Sequence, residues 1–197
     1  MPDHFKTVLL FGAPGAGKGT QGKVLGTIPG FFHCACGDVF RSIDITSELG
    51  KIFYDYSSRG ALVPDEVTVE MWAANIQART VIGDYKPTKD LLILDGIPRN
   101  VSQAEIMNEI IDVKKVFHLS CPDRSQLVSR LKKRALKDNR FDDANEEVIL
   151  KRLATYDAES KPLLDFYGTD LIHDIDAQQP PVKVTFDILS AILGGTA

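Results

Sequence analysis

Cysteine is scarce in this chain: Cys34, Cys36 and Cys121 are the three among 197 residues. An odd number without framework spacing argues against a disulfide scaffold and points to reduced thiols. The stretch His33-Cys34-Ala35-Cys36 lacks the second cluster that a four-ligand zinc site takes, so it reads as small side chains near a strand end. No apolar run approaches the roughly 20 residues of a membrane helix. The opening Met-Pro-Asp-His-Phe-Lys runs into an apolar strand pattern without the organisation of a signal peptide, so a cytoplasmic location is expected. Basic residues are not in excess. With 23 Lys and Arg against 27 Asp and Glu, the net charge is −4, which argues against nucleic acid as the main partner. Repeats and low-complexity tracts are missing too. What remains is an ordinary composition, 44% hydrophobic and 25% charged, enough for one buried core with small inserted lobes.

Short apolar runs alternate with helical patterns. Residues 7–11 (Thr-Val-Leu-Leu-Phe) read as a strand buried on both faces, followed by a helix from Lys18. Further strands are expected at 91–94, 115–119, 171–173 and 31–35. Apolar spacings of three and four predict helices over 64–78, 102–111, 123–134, 146–166 and 182–193. Ser102 with Glu105 reads as a capping box, and Asp123 after Pro122 as another helix start. Strand–helix alternation with short links implies a parallel sheet covered by helices. Two segments interrupt it. Residues 41–65 hold two short helical patterns where one crossover would do, and the polar stretch 135–145 sits between two long helices. Both read as functional excursions.

The strongest local signal is Gly12-Ala-Pro-Gly-Ala-Gly-Lys-Gly-Thr20, between a strand and a helix. Glycines let successive backbone N–H groups turn inward around an anion, and the helix N-terminus adds partial positive charge. Lys18 then reaches the terminal phosphates. The strict pattern has Ser or Thr directly after Lys; here Gly19 intervenes and Thr20 follows. Asp95, closing the run Leu91-Leu-Ile-Leu-Asp95, is where such proteins hold Mg²⁺, directly or through water.

A phosphate loop alone does not separate a hydrolase from a kinase. A second anion-binding set does. Arg99 ends Asp95-Gly-Ile-Pro-Arg99, and Arg41 ends Gly37-Asp-Val-Phe-Arg41. Arg130 and Arg134 share a helix face, and Arg140 and Arg152 bracket the Asp-rich excursion. Six arginines exceed the needs of one triphosphate. The planar guanidinium, always charged, suits phosphate. Two phosphate-bearing substrates facing each other would use such a set.

In these motifs the sequence resembles the adenylate kinases, within the nucleoside-monophosphate kinases, nearly end to end. The likeness rests on the loop, Gly37-Asp38 with Arg41, Gly60-Ala-Leu-Val-Pro-Asp65, Asp95-Gly-Ile-Pro-Arg99, Gln103, Arg140-Phe-Asp-Asp143, Arg152-Leu-Ala-Thr-Tyr156 and Ile175-Asp-Ala177. It implies an α/β, P-loop NTPase-type three-layer fold: a five-stranded parallel sheet flanked by helices. A lobe at 36–65 would cover the monophosphate, and a short lid at 135–145, without zinc, would cover ATP. By the same likeness Gly15, Ala16, Gly17, Lys18, Gly19 and Thr20 hold the ATP phosphates. Arg134 lies near the ATP base, and Gln179 contacts it through its backbone. Cys36, Arg41, Ala61, Leu62, Val63, Gly96, Ile97, Pro98, Arg99 and Gln103 line the AMP site, with Arg140 and Arg152 gripping the group in flight. Lys18, Asp95, Arg99, Arg134, Arg140 and Arg152 form the expected catalytic set.

The resemblance therefore implies transfer of a phosphoryl group from ATP to AMP, giving ADP, with Mg²⁺ accompanying ATP and met through water by Thr20 and Asp95. A monomer is expected. Gln103 favours adenine, since its amide donates and accepts at once; Asn100 faintly echoes the pyrimidine-specific relatives, which leaves UMP or CMP as alternative acceptors. A P-loop hydrolase or switch, or a non-catalytic sensor, is the alternative of another class. The sequence departs from the family where Cys36 stands for Thr, where Ile97 stands for Phe, and at Ala144, which looks like one inserted residue.

Overall fold

Central strand β1 (Phe5–Phe11) is apolar along consecutive residues, and Val8, Leu9, Leu10 and Phe11 are all buried. Such a run suits a strand covered on both faces and leaves no alternation to read. In the computed structural model, which describes residues 4–138, 140, 143 and 145–194, β1 lies at the middle of a five-stranded sheet. The others are β2 (Phe31–Ala35), β3 (Leu91–Asp95), β4 (Ile111–Ser120) and β5 (Ile172–Asp176), in the order β2-β3-β1-β4-β5. Every pairing is parallel. The expected fold class is therefore present.

Nine α-helices are found among the described residues: α1 (Lys18–Leu25), α2 (Cys36–Arg41), α3 (Glu48–Ser58), α4 (Asp65–Val81), α5 (Val101–Met107), α6 (Arg124–Asp138), α7 (Glu146–Thr155), α8 (Leu163–Tyr167) and α9 (Pro181–Ile192). None is long and apolar enough to cross a membrane. α1 packs against β2. A Cβ on Gly22 would fall 2.1 Å from His33 Nε2, so any other residue there would displace the His33 ring. α4 buries Val69, Trp72 and Ile76, each contributing about 1.5–3 kcal/mol of apolar burial.

Five local expectations need correction. The helix expected over 102–111 ends at Met107, and Ile111 already opens β4. Its N-cap is Asn100, whose side chain accepts from Gln103 N, and not Ser102. The single helix expected over 146–166 is α7, a π-helical turn (Tyr156–Ser160) and α8; Pro162 has no N–H to continue the ladder. Between Arg41 and Asp65 lies one helix, α3, and residues 135–138 still belong to α6. Asp123 does cap as expected, its carboxylate accepting from Ser125 N and Gln126 N. Asn139, Phe141, Asp142 and Ala144 lie outside the described residues, and with them part of the expected lid and the inserted position.

The strand order reverses direction at β1, and crevices at such a switch point are where open parallel sheets hold ligands. Register places Leu10 beside Asp95, and Phe11 beside His118. The ends of β1 and β3 thus arrive together.

Candidate active site

The chain leaves β1 at Gly12, whose φ is +142° and whose added Cβ would sit 2.6 Å from the Leu119 carbonyl oxygen. That turn needs glycine twice over, for backbone conformation and for space. Gly17, at φ +104°, then caps α1. The loop is closed by its own lysine: Lys18 Nζ donates to Gly12 O at 2.7 Å and to Ala13 O at 3.2 Å. Burial pulls the Lys18 ammonium from its ordinary 10.5 down to about 8; Asp95 opposes this, and Arg99, Arg134 and Arg152 add repulsion. A cation held at such a cost is suited to meeting an anion.

β3 ends beside this loop. The carboxylate of Asp95 lies so near Gly19 that a Cβ there would be 3.4 Å from Asp95 Oδ2. Asp95 and the exposed Thr20 offer only oxygen donors, which fits a hard cation such as Mg²⁺ carried in with phosphates. Just beyond, Arg99 folds back so that Nε donates to Gly96 O at 2.9 Å, while its own N–H donates to Gln103 Oε1 at 2.8 Å. Gln103 Nε2 donates to Asp65 Oδ1 at 2.8 Å, and Asn100 donates to the same carboxylate. The amide of Gln103 is thereby held, with one further hydrogen and one lone pair left for a ligand.

One wall of the cleft is α2 and the loop after α3. Arg41 Nη2 donates to Asp38 Oδ1 at 2.5 Å, and Arg140 Nη2 reaches the same oxygen at 3.3 Å. Burial pushes the Asp38 carboxyl up, but the bond from Arg41 and the charges of Arg41 and Arg140 outweigh it and hold the group below its ordinary 3.8. The opposite wall is α6 and α7. There Asp143, buried completely, accepts from Arg134 Nε at 2.7 Å and pairs with Arg152 Nη1. Arg130 Nη1 donates to Ala177 O at 3.0 Å, and the Gln179 side chain to Asp187 at 2.6 Å.

All six arginines line a single cleft of about 830 Å³, together with Lys18, Asp95, Gly15, Ala16, Gly17, Gly19, Thr20, Ala61, Leu62, Gly96, Pro98 and Gln179. Among its described lining residues ten are Lys or Arg and three are Asp. That local excess, in a chain of net charge −4, makes the cleft a receptor for polyanions. Cys36, Val63 and Gln103 line a narrow cavity of about 30 Å³ opening beside Arg99, with Ala61 and Leu62. Burial pushes the Cys36 thiol up to about 11, and that of Cys34 to about 12, so both are protonated and poorly nucleophilic at neutral pH. Ile97 lines neither space; it is 2% exposed and belongs to the core.

Sequence reasoning paid little attention to the acids. Asp38, Asp65 and Asp143 each sit in a quoted motif, but nothing local told which cations they hold. Lys133 and Lys137 line the cleft as well, and their spacing with Arg130 and Arg134 along one helix face is the signal that marks them.

Comparison with known proteins bears on this geometry. A family model described as adenylate kinase matches residues 10–172. The chain is 38% identical over 192 residues to the adenylate kinase of Thermobifida fusca, covering 94% of this chain and 97% of that one. It is 39% identical over 188 residues to the adenylate kinase of a Cyanothece species, covering 92% of each. To the adenylate kinase of Bacteroides thetaiotaomicron it is 38% identical over 169 residues, covering 83% of this chain and 85% of that one.

Proposed function

The chain belongs to the adenylate kinase family, and from that premise we propose how its own residues carry out the reaction. The reaction is reversible: a phosphoryl group passes from ATP to AMP, giving two ADP. ATP lays its phosphates in the loop 12–20, on inward N–H groups and Lys18. Its base lies between α6, near Arg134, and the segment at Gln179. AMP enters the opposite side, its phosphate on Arg41 and Arg99 and its adenine toward Gln103, in the space lined by Cys36, Ala61, Leu62 and Val63. The region 36–65 acts as the monophosphate lobe, and 135–145 as a short lid.

An AMP phosphate oxygen attacks the γ-phosphorus in line, and the bond from that phosphorus to the β,γ-bridging oxygen breaks. Charge on the transferred group is met by Lys18, Arg99, Arg140 and Arg152, which are fixed before the reaction by Gly12 O, Gly96 O, Asp38 and Asp143. Such preorganisation, not covalent chemistry, is what phosphoryl transfer takes from a protein. Asp95 and Thr20 would hold the Mg²⁺ that accompanies ATP, which would supply further positive charge at the phosphates. Closure of the two lobes excludes water, which would otherwise take the phosphoryl group. The described lining residues bring both phosphate-binding sets together in one chain, which suits a monomer, and three free thiols suit the reducing cytoplasm.

The observation that carries this reading is the meeting of six arginines with Lys18 and Asp95 in one cleft. Its test is ADP formation from ATP and Mg²⁺, with and without AMP, in the wild type and in Arg99→Ala. Formation should depend on AMP, and the variant should lose roughly 10³-fold or more of turnover, as arginine contacts to such transition states do. ATP hydrolysis without acceptor, or near-normal turnover in Arg99→Ala, would refute the assignment.

A further inference from the structure

The hydrogen bond between Tyr156 Oη and His118 Nε2, 3.3 Å long, joins the end of α7 to β4 and has no part in the chemistry above. His118 pairs in register with Phe11, the residue before Gly12 of the phosphate loop. Its other ring nitrogen, Nδ1, lies 2.6 Å from Asp174 Oδ1 on β5. A carboxylate at Nδ1 keeps the imidazole proton there and leaves Nε2 to accept. Tyr156 therefore donates to His118, and His118 donates to Asp174. Asp174 is 74% exposed, so the outer end of this chain of three groups rests in water.

The inner end holds the last turn of α7. Tyr156 N–H donates to the carbonyl of Arg152 itself. Thr155 Oγ1 donates to Gly60 O at 3.2 Å, tying the same turn to the loop 60–64. Directly after it the helix widens into the π-turn Tyr156–Ser160. A π-turn changes the residue spacing around the axis, so the direction of the turn before it depends on lateral contacts. Three of them here are specific. The Tyr156 ring lies 5.5 Å from the Phe11 ring, its phenol meets His118, and Arg124 clamps both oxygens of Asp157. One of these leads to β1, which carries the phosphate loop, and another to its sheet neighbour β4.

We infer that His118 is a positioning residue: through Tyr156 it sets the rotation of the last turn of α7, and so the placement of Arg152 against the group in flight, while Asp174 fixes the tautomer of His118. This rests on the role of Arg152 proposed above. A misplacement of that guanidinium lowers the rate of transfer and leaves nucleotide binding, which uses other contacts, largely alone.

The experiment compares kcat, KM for ATP and AMP, and thermal midpoint in Tyr156→Phe, His118→Leu, their combination, His118→Gln and Asp174→Ala. Tyr156→Phe keeps the ring and loses only the hydroxyl. Both single variants should lose kcat by roughly tenfold, less than the ~10²-fold of a full 1 Å displacement, with either KM changed by no more than about twofold. The double variant should be no slower than the slower single, because both break one link. His118→Gln, whose amide oxygen reaches the place of Nε2, should recover most of what His118→Leu loses. Asp174→Ala, at the surface, should fold normally and show a smaller loss. Wild-type kcat in folded Tyr156→Phe and Asp174→Ala would overturn the inference, as would additive losses or a His118→Gln as slow as His118→Leu. Arg152→Ala runs alongside: full turnover there removes the role of Arg152, whereas full turnover confined to the other variants removes only the positioning role of His118.

Discussion

Asp38 and Arg140 stand 102 positions apart in the chain, yet Asp38 Oδ1 accepts a hydrogen bond from Arg140 Nη2 at 3.3 Å. The same oxygen accepts from Arg41 at 2.5 Å. One carboxylate thus holds arginines from opposite walls of the cleft and offsets the repulsion between two like charges.

Replacing Asp38 by Ala should raise KM for AMP severalfold, because Arg41 and Arg140 then repel each other and lose their aim. Stability should change by less than about 1 kcal/mol, since the carboxylate is 45% exposed and the pairs are screened. The folded carboxyl titrates below its ordinary 3.8. Its small contribution is therefore present above that value and lost as pH falls through the folded one. Steady-state kinetics and acid melts of the two proteins check both statements.

Asp143 should matter more to folding. It is fully buried between Arg134 and Arg152, whose side chains are 30% and 19% exposed. Asp143→Ala takes from two guanidiniums the buried carboxylate they share. A cost of about 2–3 kcal/mol is expected, discounted from the ~3–5 kcal/mol of a fully buried broken pair. Asp143→Asn, which keeps an acceptor, should cost less. Urea unfolding measures the difference.

Lys18 predicts an unusual dependence on pH. Its folded value of about 8 lies below its ordinary 10.5. Between these values the native ammonium has lost its proton while the unfolded chain keeps it, so stability rises with pH across that window. The sign is opposite to that of a lysine gaining a partner. Melts of the nucleotide-free protein should show the rise, and Lys18→Met should abolish it. KM for ATP should climb above about pH 8, as the phosphate loses its cation.

Gln103 distinguishes the two proposed nucleotide sites. Held by Arg99 N and Asp65, it faces the cavity beside Cys36 and not the phosphate loop. Gln103→Leu should raise KM for AMP by roughly 10- to 100-fold, the scale of unpaired polar groups in a buried site, while KM for ATP stays within about twofold. Initial rates with each nucleotide varied in turn decide this.

Much of the framework was legible because its signals are short in range. The apolar run before Gly12, the glycines of the loop and Asp95 at a strand end each act on their own neighbours, and β1, α1 and β3 lie where they were expected. The errors arose where two local readings competed. Asn100 caps α5 in place of Ser102 because Gln103 reaches back to Arg99 N, moving the cap two residues earlier. The apolar spacing of 146–166 runs on past Thr155, but the helix does not, since spacing reports a face and not the ladder that breaks at the π-turn and Pro162.

By itself the sequence determined which groups are available: a glycine turn suited to an anion, a lysine beside it, and more arginines than one nucleotide uses. Which acid holds which arginine, that Ile97 turns into the core, and that His118 reaches Tyr156 were decided by tertiary structure alone. Apart from the local Asp38–Arg41 pair, those pairings join residues 9 to 102 positions apart. They exist only once the order β2-β3-β1-β4-β5 has brought the strand ends together, because charge and hydrogen bonding act over a few ångströms of space, whatever the distance along the chain.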